Sequence, residues 1–335
     1  EEAQLYDRQL RLWGVQSQQR LQQSKVVIIG LNAVQSEIAK NIVLAGLNEI
    51  SIIDWVIVEP SHTIPHLFLD PKTAVGQNRG AASKARLSEL NPLVRVNLTE
   101  VKSIEEALER FKTLAESRAF DLAIASDLST VQLCEFNTVC RASIPPESHL
   151  LVHQAEPTLH RSLPFFAVGS FGQFGFFFTD LGNHVYTKEQ TSTDGIKTMT
   201  SLVQRHNSLE DAFNHDTSIS GANALFHTML CLYRVEKQIM TKVNETHIPL
   251  MKEERSKLIK TLRLKESRFP EDLVENLVKC YESEFAPTSA VVGGLVGQEA
   301  IKSLSASSPP PLNNFFLFNA ATGASLVIQA SNQQE

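Results

Sequence analysis

The sequence predicts an α/β fold in which a doubly wound, mainly parallel sheet carries an inserted helical subdomain. Three features lead to this prediction. A strand, a tight turn, a helix and a second strand follow one another over residues 25–54, and strand-like runs alternate with helical patterns as far as residue 153. Near its end, over residues 313–328, the chain returns to a strand pattern. This alternation is typical of a parallel sheet with helices on both faces.

The first of these features has the order of a Rossmann-like unit. The run Val26–Ile29 is short and wholly apolar, as in a buried parallel strand, and it stops at Gly30. Apolar residues at helical spacing then lead to Gly46, a common type of helix terminator. A second apolar strand ends in Asp54, 24 residues after Gly30. A dinucleotide-binding unit carries its ribose-binding acid near this position.

The glycine motif of this unit is degenerate. A nucleotide site here needs the pattern G-x-G-x-x-G, of which only Gly30 is present. Asn32 replaces the glycine that lets a phosphate approach the backbone, and Gln35 replaces the third glycine. A bulky, polar Gln is expected to fill the pocket that phosphates use. Asp54 fits a helix cap or a turn residue better than a ribose ligand. We therefore expect this turn to hold no nucleotide or other cofactor.

The whole chain divides into four predicted parts. They are a helical arm at 1–24, a Rossmann-like domain at 25–186, a helical insertion at 187–268 and a C-terminal return to the domain at 269–335. An arm that precedes the first strand cannot lie in the core of the sheet. It must therefore pack on the flank of the sheet or on another subunit.

Further elements are predicted along these parts. Helices are expected at 81–90, 104–117, 128–140, 222–243 and 251–265, and strands at 94–98, 120–125 and 150–153. A Phe-rich segment at 165–178 predicts antiparallel strands, with core packing as the favoured interpretation and a sheet edge or a subunit contact as alternatives. The small residues at 286–297 predict a helix that another backbone approaches closely. Two strands joined through 320–323 are expected to end the fold.

The composition excludes several classes of protein. The chain has 335 residues and a formal charge of −6, which gives no reason to expect a nucleic acid partner. Its four cysteines form no C-x-x-C pair, which argues against a structural zinc site and a disulfide framework and favours a reducing compartment. No run resembles a signal peptide or a membrane span. His62 and His66 are four residues apart, but Pro65 prevents the helix that would direct both at one metal ion.

Several motifs, in order over nearly the whole chain, resemble those of ubiquitin-like-protein activating enzymes, a family related to ThiF and MoeB. The motifs are Y-D-R-Q-L-R-L-W-G at 6–14, G-Q-N-R at 76–79, L-N-P at 90–92, F-G-x-x-G at 171–175, L-G-N-H at 181–184, A-P-x-x-A-V-V-G-G at 286–294 and N-N-F-F-L-F at 313–318. The length and the short middle insertion are similar to those of the small subunit in the SUMO branch of this family.

The resemblance implies a role in which this chain is the inactive half of a heterodimer. Its partner would be the large catalytic subunit of a SUMO-activating enzyme, which binds ATP and Mg, adenylates the C-terminus of SUMO and carries the thioester. SUMO and the SUMO-conjugating enzyme would be reached through the complex, without nucleic acid or membrane. The resemblance also implies that Arg8 reaches the ATP phosphates of the partner, and that the complex is nuclear, with the cytoplasm as a second location.

The resemblance also identifies departures from the active members. His62 and Pro65 stand in the region where active members have an Asn and an Arg, and Asp127 lies near the position of their magnesium-binding Asp. Cys231 is the only cysteine of the predicted insertion and lies within an amphipathic helix, so it is not expected to accept the acyl group. No metal site is expected.

Three alternative functions stay open at this point. The chain could be the inactive half of another activating enzyme, of the NEDD8 type, whose subunit shares the Y-D-R-Q-L-R-L-W-G motif but is longer. It could be a self-sufficient homodimeric adenylyltransferase of the ThiF or MoeB type, against which Asn32 and Gln35 argue. A nicotinamide-dependent oxidoreductase is the generic interpretation of a βαβ start, but the glycines and an evident catalytic arrangement are missing.

Overall fold

A computed structural model describes residues 6–117, 119–143, 162–191, 197–214, 223–305 and 309–329 of the chain. The strands are β1 Lys25–Ile29, β2 Glu49–Asp54, β3 Arg95–Glu100, β4 Leu122–Ala125, β5 Phe165–Phe171, β6 Phe174–Asp180, β7 Asn183–Thr191, β8 Lys197–Arg205, β9 Phe315–Asn319 and β10 Ala324–Ile328. The helices are α1 Asp7–Leu21, α2 Ala33–Ala45, α3 Arg79–Glu89, α4 Ile104–Glu116, α5 Thr130–Ala142, α6 Leu209–Asn214, α7 Ala224–Ile239, α8 Ile248–Leu262, α9 Glu271–Cys280 and α10 Ala286–Ser305.

Eight strands form one mixed sheet in the order β10-β9-β6-β5-β4-β1-β2-β3. The five strands from β3 to β5 run parallel, and β6, β9 and β10 extend the sheet with antiparallel pairs. β1 lies inside the parallel part and pairs with β2 and β4. The predicted Rossmann-like, mainly parallel sheet is therefore confirmed, and the carboxyl ends of β1, β2 and β4 meet at one edge.

Helices cover both faces of this sheet. Successive side chains of a strand point to opposite faces, so Val26 and Ile28 join a buried cluster with α2 and α10, whereas Val27 and Ile29 join one with α4, α5 and α7. The side chains of all four residues are fully buried. This double burial explains why the first strand is wholly apolar in the sequence.

The small residues of α10 allow another backbone to approach closely, as predicted, and the structure shows that this backbone is α2. A Cβ atom added at Gly293 would stand 2.5 Å from the Cβ of Glu37, and one at Gly297 would stand 2.8 Å from the Cβ of Asn41. Both distances are shorter than real Cβ contacts, so only glycine fits at these two positions. Gly294, by contrast, faces open space.

The Phe-rich segment forms β5 and β6, which lie inside the sheet between β4 and β9. Phe166, Phe177 and Phe178 are fully buried, so the interpretation as core packing is correct. The suggestion of a sheet edge is wrong because β9 and β10 cover the open side of β6. The two strands at the end of the fold are present as expected, but their place in the sheet order depends on long-range pairing.

The helical insertion predicted at 187–268 is only partly helical. The strands β7 and β8 pair antiparallel as a separate two-stranded sheet, and the first helix among the described residues of this part begins at Leu209. The polar composition of these two strands leads to the prediction of helix. Each strand is stabilised by pairing with the other, and its own sequence pattern does not show this. The helix expected at 222–243 is observed as α7, and the charged helix expected at 251–265 as α8. The strand predicted at 150–153 lies outside the described residues.

The arm packs on the flank of the sheet domain, next to α2 and α10. Leu21 and Tyr6 are buried, and the hydroxyl of Tyr6 accepts a hydrogen bond of 2.9 Å from Nδ2 of Asn91. The helix of the arm is interrupted at Gly14, where the backbone leaves helical geometry. In the part of the chain that the structure describes, no helix has the length and apolar character needed to cross a membrane.

Candidate functional site

A crevice lies beyond the carboxyl ends of β1, β2 and β4, where ligands bind in open α/β sheets. Its volume is about 530 Å³. Residues from distant parts of the chain line it, among them Asn32 after β1, His62 after β2, Asp127 after β4, Lys242 after α7 and Glu284 before α10. The sequence patterns identified the first three of these regions but gave no reason to include the last two.

The turn between β1 and α2 depends on a conformation that only glycine adopts readily. Gly30 adopts a φ of +75°, and a Cβ atom there would stand 2.6 Å from the carbonyl oxygen of Ser126. Asn32 caps α2, since its Oδ1 accepts a hydrogen bond of 3.2 Å from the Gln35 backbone N–H and one of 2.9 Å from Oγ of Ser126. The degenerate residue Asn32 thus works as a helix cap.

Gln35 does not occupy the space where a phosphate would bind, contrary to the expectation from the sequence. Its side chain is fully buried between α2 and the sheet, and its Nε2 donates a hydrogen bond of 3.1 Å to the carbonyl oxygen of Ile124. The third glycine of the motif normally allows close helix–strand packing. Here the amide of Gln35 fills that packing space and bonds the helix to β4.

A carboxylate of the protein itself occupies the amino end of α2. The backbone N–H of Ala33 donates a hydrogen bond of 2.7 Å to Oε1 of Glu284. Burial raises the pKa of Glu284, while the Ala33 hydrogen bond and the positive charge of Arg79 oppose this rise. The amino end of a helix is where anions such as phosphates bind, because free N–H groups and the helix dipole meet there. No local sequence signal identified Glu284, which is 251 residues from Ala33.

Asp54 is fully buried, and both of its carboxylate oxygens are engaged within the chain. Oδ2 accepts hydrogen bonds of 2.9 Å from the Leu31 N–H and from Nε of Arg79, and Oδ1 accepts one of 3.0 Å from the Val56 N–H and one of 3.1 Å from Nη2 of Arg79. The acid at the ribose position therefore holds a bidentate arginine and two backbone groups. This arrangement does not fit a ribose hydroxyl in addition.

Arg79 extends this pair into a charged network at the floor of the crevice. Its Nη2 donates a hydrogen bond of 2.9 Å to Oδ2 of Asp127, whose Oδ1 accepts one of 3.0 Å from Nζ of Lys242. Burial alone would raise the pKa of Asp127, but Lys242 and Arg79 lower it to about 2. The acid near the expected magnesium position is therefore ion-paired on both sides. Asp127 also adopts a positive φ of 62°, so backbone strain accompanies this placement.

The two histidines after β2 have separate environments. His62 lines the crevice and caps a short 3₁₀ helix, Pro60–Thr63, by accepting a hydrogen bond from the Glu59 N–H at its Nδ1. His66 is buried, with its Nε2 2.9 Å from the Leu31 carbonyl oxygen, and burial lowers its pKa to about 3. Within the described ranges, no three His, Cys, Asp or Glu side chains are grouped to hold a metal ion.

Cys231 is fully buried in α7. Burial raises the pKa of its thiol far above the ordinary value, with the negative charge of Glu254 adding to the rise. A thiol that is buried and protonated is a poor nucleophile. This geometry gives Cys231 no means of accepting an acyl group from a protein substrate.

Arg8 lies on the exposed side of the arm, away from this crevice. The arm contacts the carboxyl end of α2, where Nε2 of Gln9 donates a hydrogen bond of 3.2 Å to the Leu44 carbonyl oxygen and the ring of Tyr6 packs on Gly46. α2 has 13 residues, so its two ends lie about 20 Å apart. Among the described residues, Arg8 has no ion-pair partner, whereas Arg11 pairs with Asp7.

A second cavity of about 410 Å³ lies next to the arm. Gln9, Leu44, Gly294 and Ile301 contribute to its lining, and Leu44 and Val291 are large apolar residues with 45% and 43% of their surface exposed. This surface, formed by the arm, the end of α2 and the outer side of α10, is called the arm face below. It carries apolar groups that the described residues of the chain leave uncovered.

The fold and the crevice together define the class of this protein. Residues 6–335 match the ThiF family, and the chain belongs to that family. Among curated proteins, it is 30% identical to SUMO-activating enzyme subunit 1 of Dictyostelium discoideum, over 98% of this chain and 93% of that protein. It is also 30% identical to the Homo sapiens protein of the same name and 31% identical to that of Rattus norvegicus, each over 98% of this chain and 94% of the relative. The resemblance seen in the sequence motifs is therefore confirmed.

Proposed function

We propose that this chain is the non-catalytic subunit of a heterodimeric SUMO-activating enzyme. Relatives named SUMO-activating enzyme subunit 1 match 98% of the chain, and their name implies a further subunit. The observation that carries the proposal is the state of the two ends of α2. At the amino end, the Ala33 N–H is engaged by the carboxylate of Glu284, whereas at the carboxyl end Arg8 is exposed and unpaired within the described residues.

The chemistry then belongs to the partner, the large catalytic subunit. That subunit binds ATP and Mg, adenylates the C-terminus of SUMO and forms the thioester on a cysteine of its own. The residues of this chain do not fit ATP, since Asp54 and Asp127 already hold Arg79 and Lys242. SUMO and the SUMO-conjugating enzyme meet this chain only through the complex, and neither nucleic acid nor a membrane takes part.

Arg8 is the residue of this chain that we assign to the reaction. It cannot serve the crevice of its own chain, because the arm lies at the far end of α2, about 20 Å from the crevice. A planar guanidinium with several donors suits phosphate oxygens on which negative charge develops, and it acts strongly when a neighbouring subunit delivers it to a closed site. Arg8 would therefore stabilise the ATP phosphates in the partner during adenylation.

The arm face is the surface on which we place the large subunit. It joins the arm that carries Arg8 to exposed apolar groups such as Leu44 and Val291. Clustered apolar groups with a polar rim are typical of stable protein interfaces. A partner bound there would receive Arg8 directly.

The test is the rate of ATP:pyrophosphate exchange by the purified heterodimer. Arg8→Ala should lower the exchange rate severalfold or more and leave the heterodimer intact by size-exclusion chromatography. Arg11→Ala is the matched control, because Arg11 lies on the same exposed helix but pairs with Asp7. Unchanged exchange in the Arg8→Ala heterodimer would remove Arg8 from the mechanism.

Two alternatives are separated by simple measurements. A self-sufficient homodimeric adenylyltransferase of the ThiF or MoeB type would bind ATP as an isolated chain, so calorimetry should detect binding only if that alternative holds. A subunit of a NEDD8-type enzyme would co-purify with a different large subunit and charge NEDD8. We also propose a nuclear location with some protein in the cytoplasm, which fluorescence imaging of the tagged chain would test.

A further inference from the structure

The residues of the first βα turn do not fit the nucleotide that the fold family would lead one to expect. The turn keeps the positive φ of Gly30 and the amino end of α2, which are the parts that bind a phosphate. The hydrogen-bond donor of Ala33 at this end is nevertheless engaged by Glu284 at 2.7 Å. The turn therefore does not fit a nucleotide phosphate for two reasons: two glycines of the motif are absent, and the carboxylate of Glu284 engages the donor.

We propose that Glu284 is a built-in anionic ligand of this turn, which excludes phosphate groups and fastens the segment before α10 to the amino end of α2. The carboxylate belongs to the segment 281–284, which lines the crevice and leads directly into α10. Because α10 also packs tightly on α2 through Gly293 and Gly297, the carboxylate and the helix contact hold the same two elements together. This inference rests on the proposed function, since it explains how the crevice stays without nucleotide.

A second carboxylate, which is fully buried, supports the same interpretation. Glu236 accepts a hydrogen bond of 2.7 Å from the backbone N–H and one of 2.6 Å from Oγ1 of Thr130, at the amino end of α5. The O–H of Tyr281 donates a further hydrogen bond of 2.8 Å to Glu236, so the segment 281–284 is tied to both helices. The helices that follow β1 and β4 thus each receive an internal carboxylate from the last third of the chain.

The charges around Glu284 explain why its removal should open a phosphate site. Arg79 and Lys242 both act electrostatically on its carboxylate, and the Ala33 N–H points at it. Without this carboxylate, the Ala33 N–H would face the crevice near Arg79 and Lys242, which keep their pairs with Asp54 and Asp127, and the lining would hold one negative charge fewer. A small polyanion then gains a free hydrogen-bond donor at the helix end and meets less repulsion than in the unaltered chain.

The experiment measures binding of inorganic pyrophosphate to the purified chain by isothermal titration calorimetry. We expect Glu284→Ala to bind pyrophosphate about tenfold or more tighter than the unaltered chain, the order of effect of a charge at a partly buried helix end. Glu282→Ala is the matched control, because Glu282 lines the same crevice and carries the same charge. The gain should be absent in this control and should weaken as salt is added.

A second variant keeps the inference falsifiable if Glu284→Ala folds poorly. Glu284→Gln retains the size of the side chain and an oxygen that can accept from Ala33, but it lacks the charge, so it should fold and still gain affinity severalfold. Hydrogen exchange of the Ala33 amide should also accelerate in Glu284→Ala and not in Glu282→Ala. Equal affinity in all variants, an equal gain in the Glu282→Ala control, or unaltered exchange at Ala33 would overturn the inference.

These outcomes are separate from those of the proposed function. If Glu284 variants gain no affinity while Arg8→Ala still lowers ATP:pyrophosphate exchange, the carboxylate assignment fails and the heterodimer proposal stands. If the unaltered chain binds pyrophosphate and ATP tightly by itself, both fail.

Discussion

Replacing Arg79 by Leu should destabilise the chain far more than an ordinary loss of an ion pair. Arg79 and Asp54 have side chains that are 3% and 0% exposed, and the arginine makes two hydrogen bonds to this carboxylate and one to Asp127. Removing one partner of a buried pair leaves an uncompensated charge, at a cost of about 3–5 kcal/mol. Two backbone N–H groups still bond Asp54, so we expect the lower part of this range.

The measurement is the free energy of unfolding of the purified chain in urea. The variants can be compared if their m-values are equal to that of the unaltered chain. Arg86→Leu is the control, since Arg86 lies on the same helix, α3, and pairs with Asp70 at the surface with 48% of its side chain exposed. An exposed pair contributes about 0–1 kcal/mol. If Arg79→Leu lowers the free energy of unfolding by no more than Arg86→Leu does, the charged network is not buried as described.

Two further predictions concern packing and pH. Gly293→Ala should lower the free energy of unfolding by about 1–3 kcal/mol, because its Cβ would stand 2.5 Å from that of Glu37. Gly294 faces open space, so Gly294→Ala should raise the free energy of unfolding by up to about 1 kcal/mol. If the two variants have the same stability in urea unfolding, the close packing of α10 on α2 is contradicted. His66 has a folded-state pKa of about 3, below its ordinary 6.5, so the unfolded chain takes up a proton first and stability should fall as pH drops below about 6.5, by up to about 1.4 kcal/mol per pH unit for one group. His66→Gln should reduce this slope in pH-dependent unfolding. Other buried histidines also contribute, among them His184 and His206, whose pKa values burial lowers to about 4, and His227, whose pKa burial also lowers. An unchanged slope would exclude His66.

The parts of the fold that local sequence determines can be predicted well. The first βαβ unit is one example, because a wholly apolar strand, a glycine with positive φ and a left-handed Gly46 each leave a local signal. The close approach of another backbone to α10 is a second example, since small residues at helical spacing remove the side-chain bulk that keeps two helices apart, although the sequence does not identify α2 as the partner. Such features need only neighbours in sequence to be recognised.

The features that depend on distant pairing cannot be predicted in this way. The polar strands β7 and β8 are predicted as helix, and their sequence does not show that they pair with each other. Similarly, no sequence pattern places β5 and β6 inside the sheet, because their neighbours come from distant parts of the chain. The site shows the same division. Asn32, Gln35 and Asp54 are recognisable as replacements within a motif, but Glu284 and Lys242 reach the crevice only through the tertiary fold.

The two ends of α2 explain how a nucleotide-binding fold can remain ordered without a nucleotide. A bound ligand stabilises a site only in proportion to its concentration, whereas a tethered group such as Glu284 is present at a constant, high effective concentration. Under the proposal made above, the chain itself therefore holds the amino end of α2, whether or not a nucleotide is present. Because the arm packs on the carboxyl end of the same helix, this internal ligand also fixes the support from which Arg8 projects. The crevice then serves the proposed function as a scaffold for the arm.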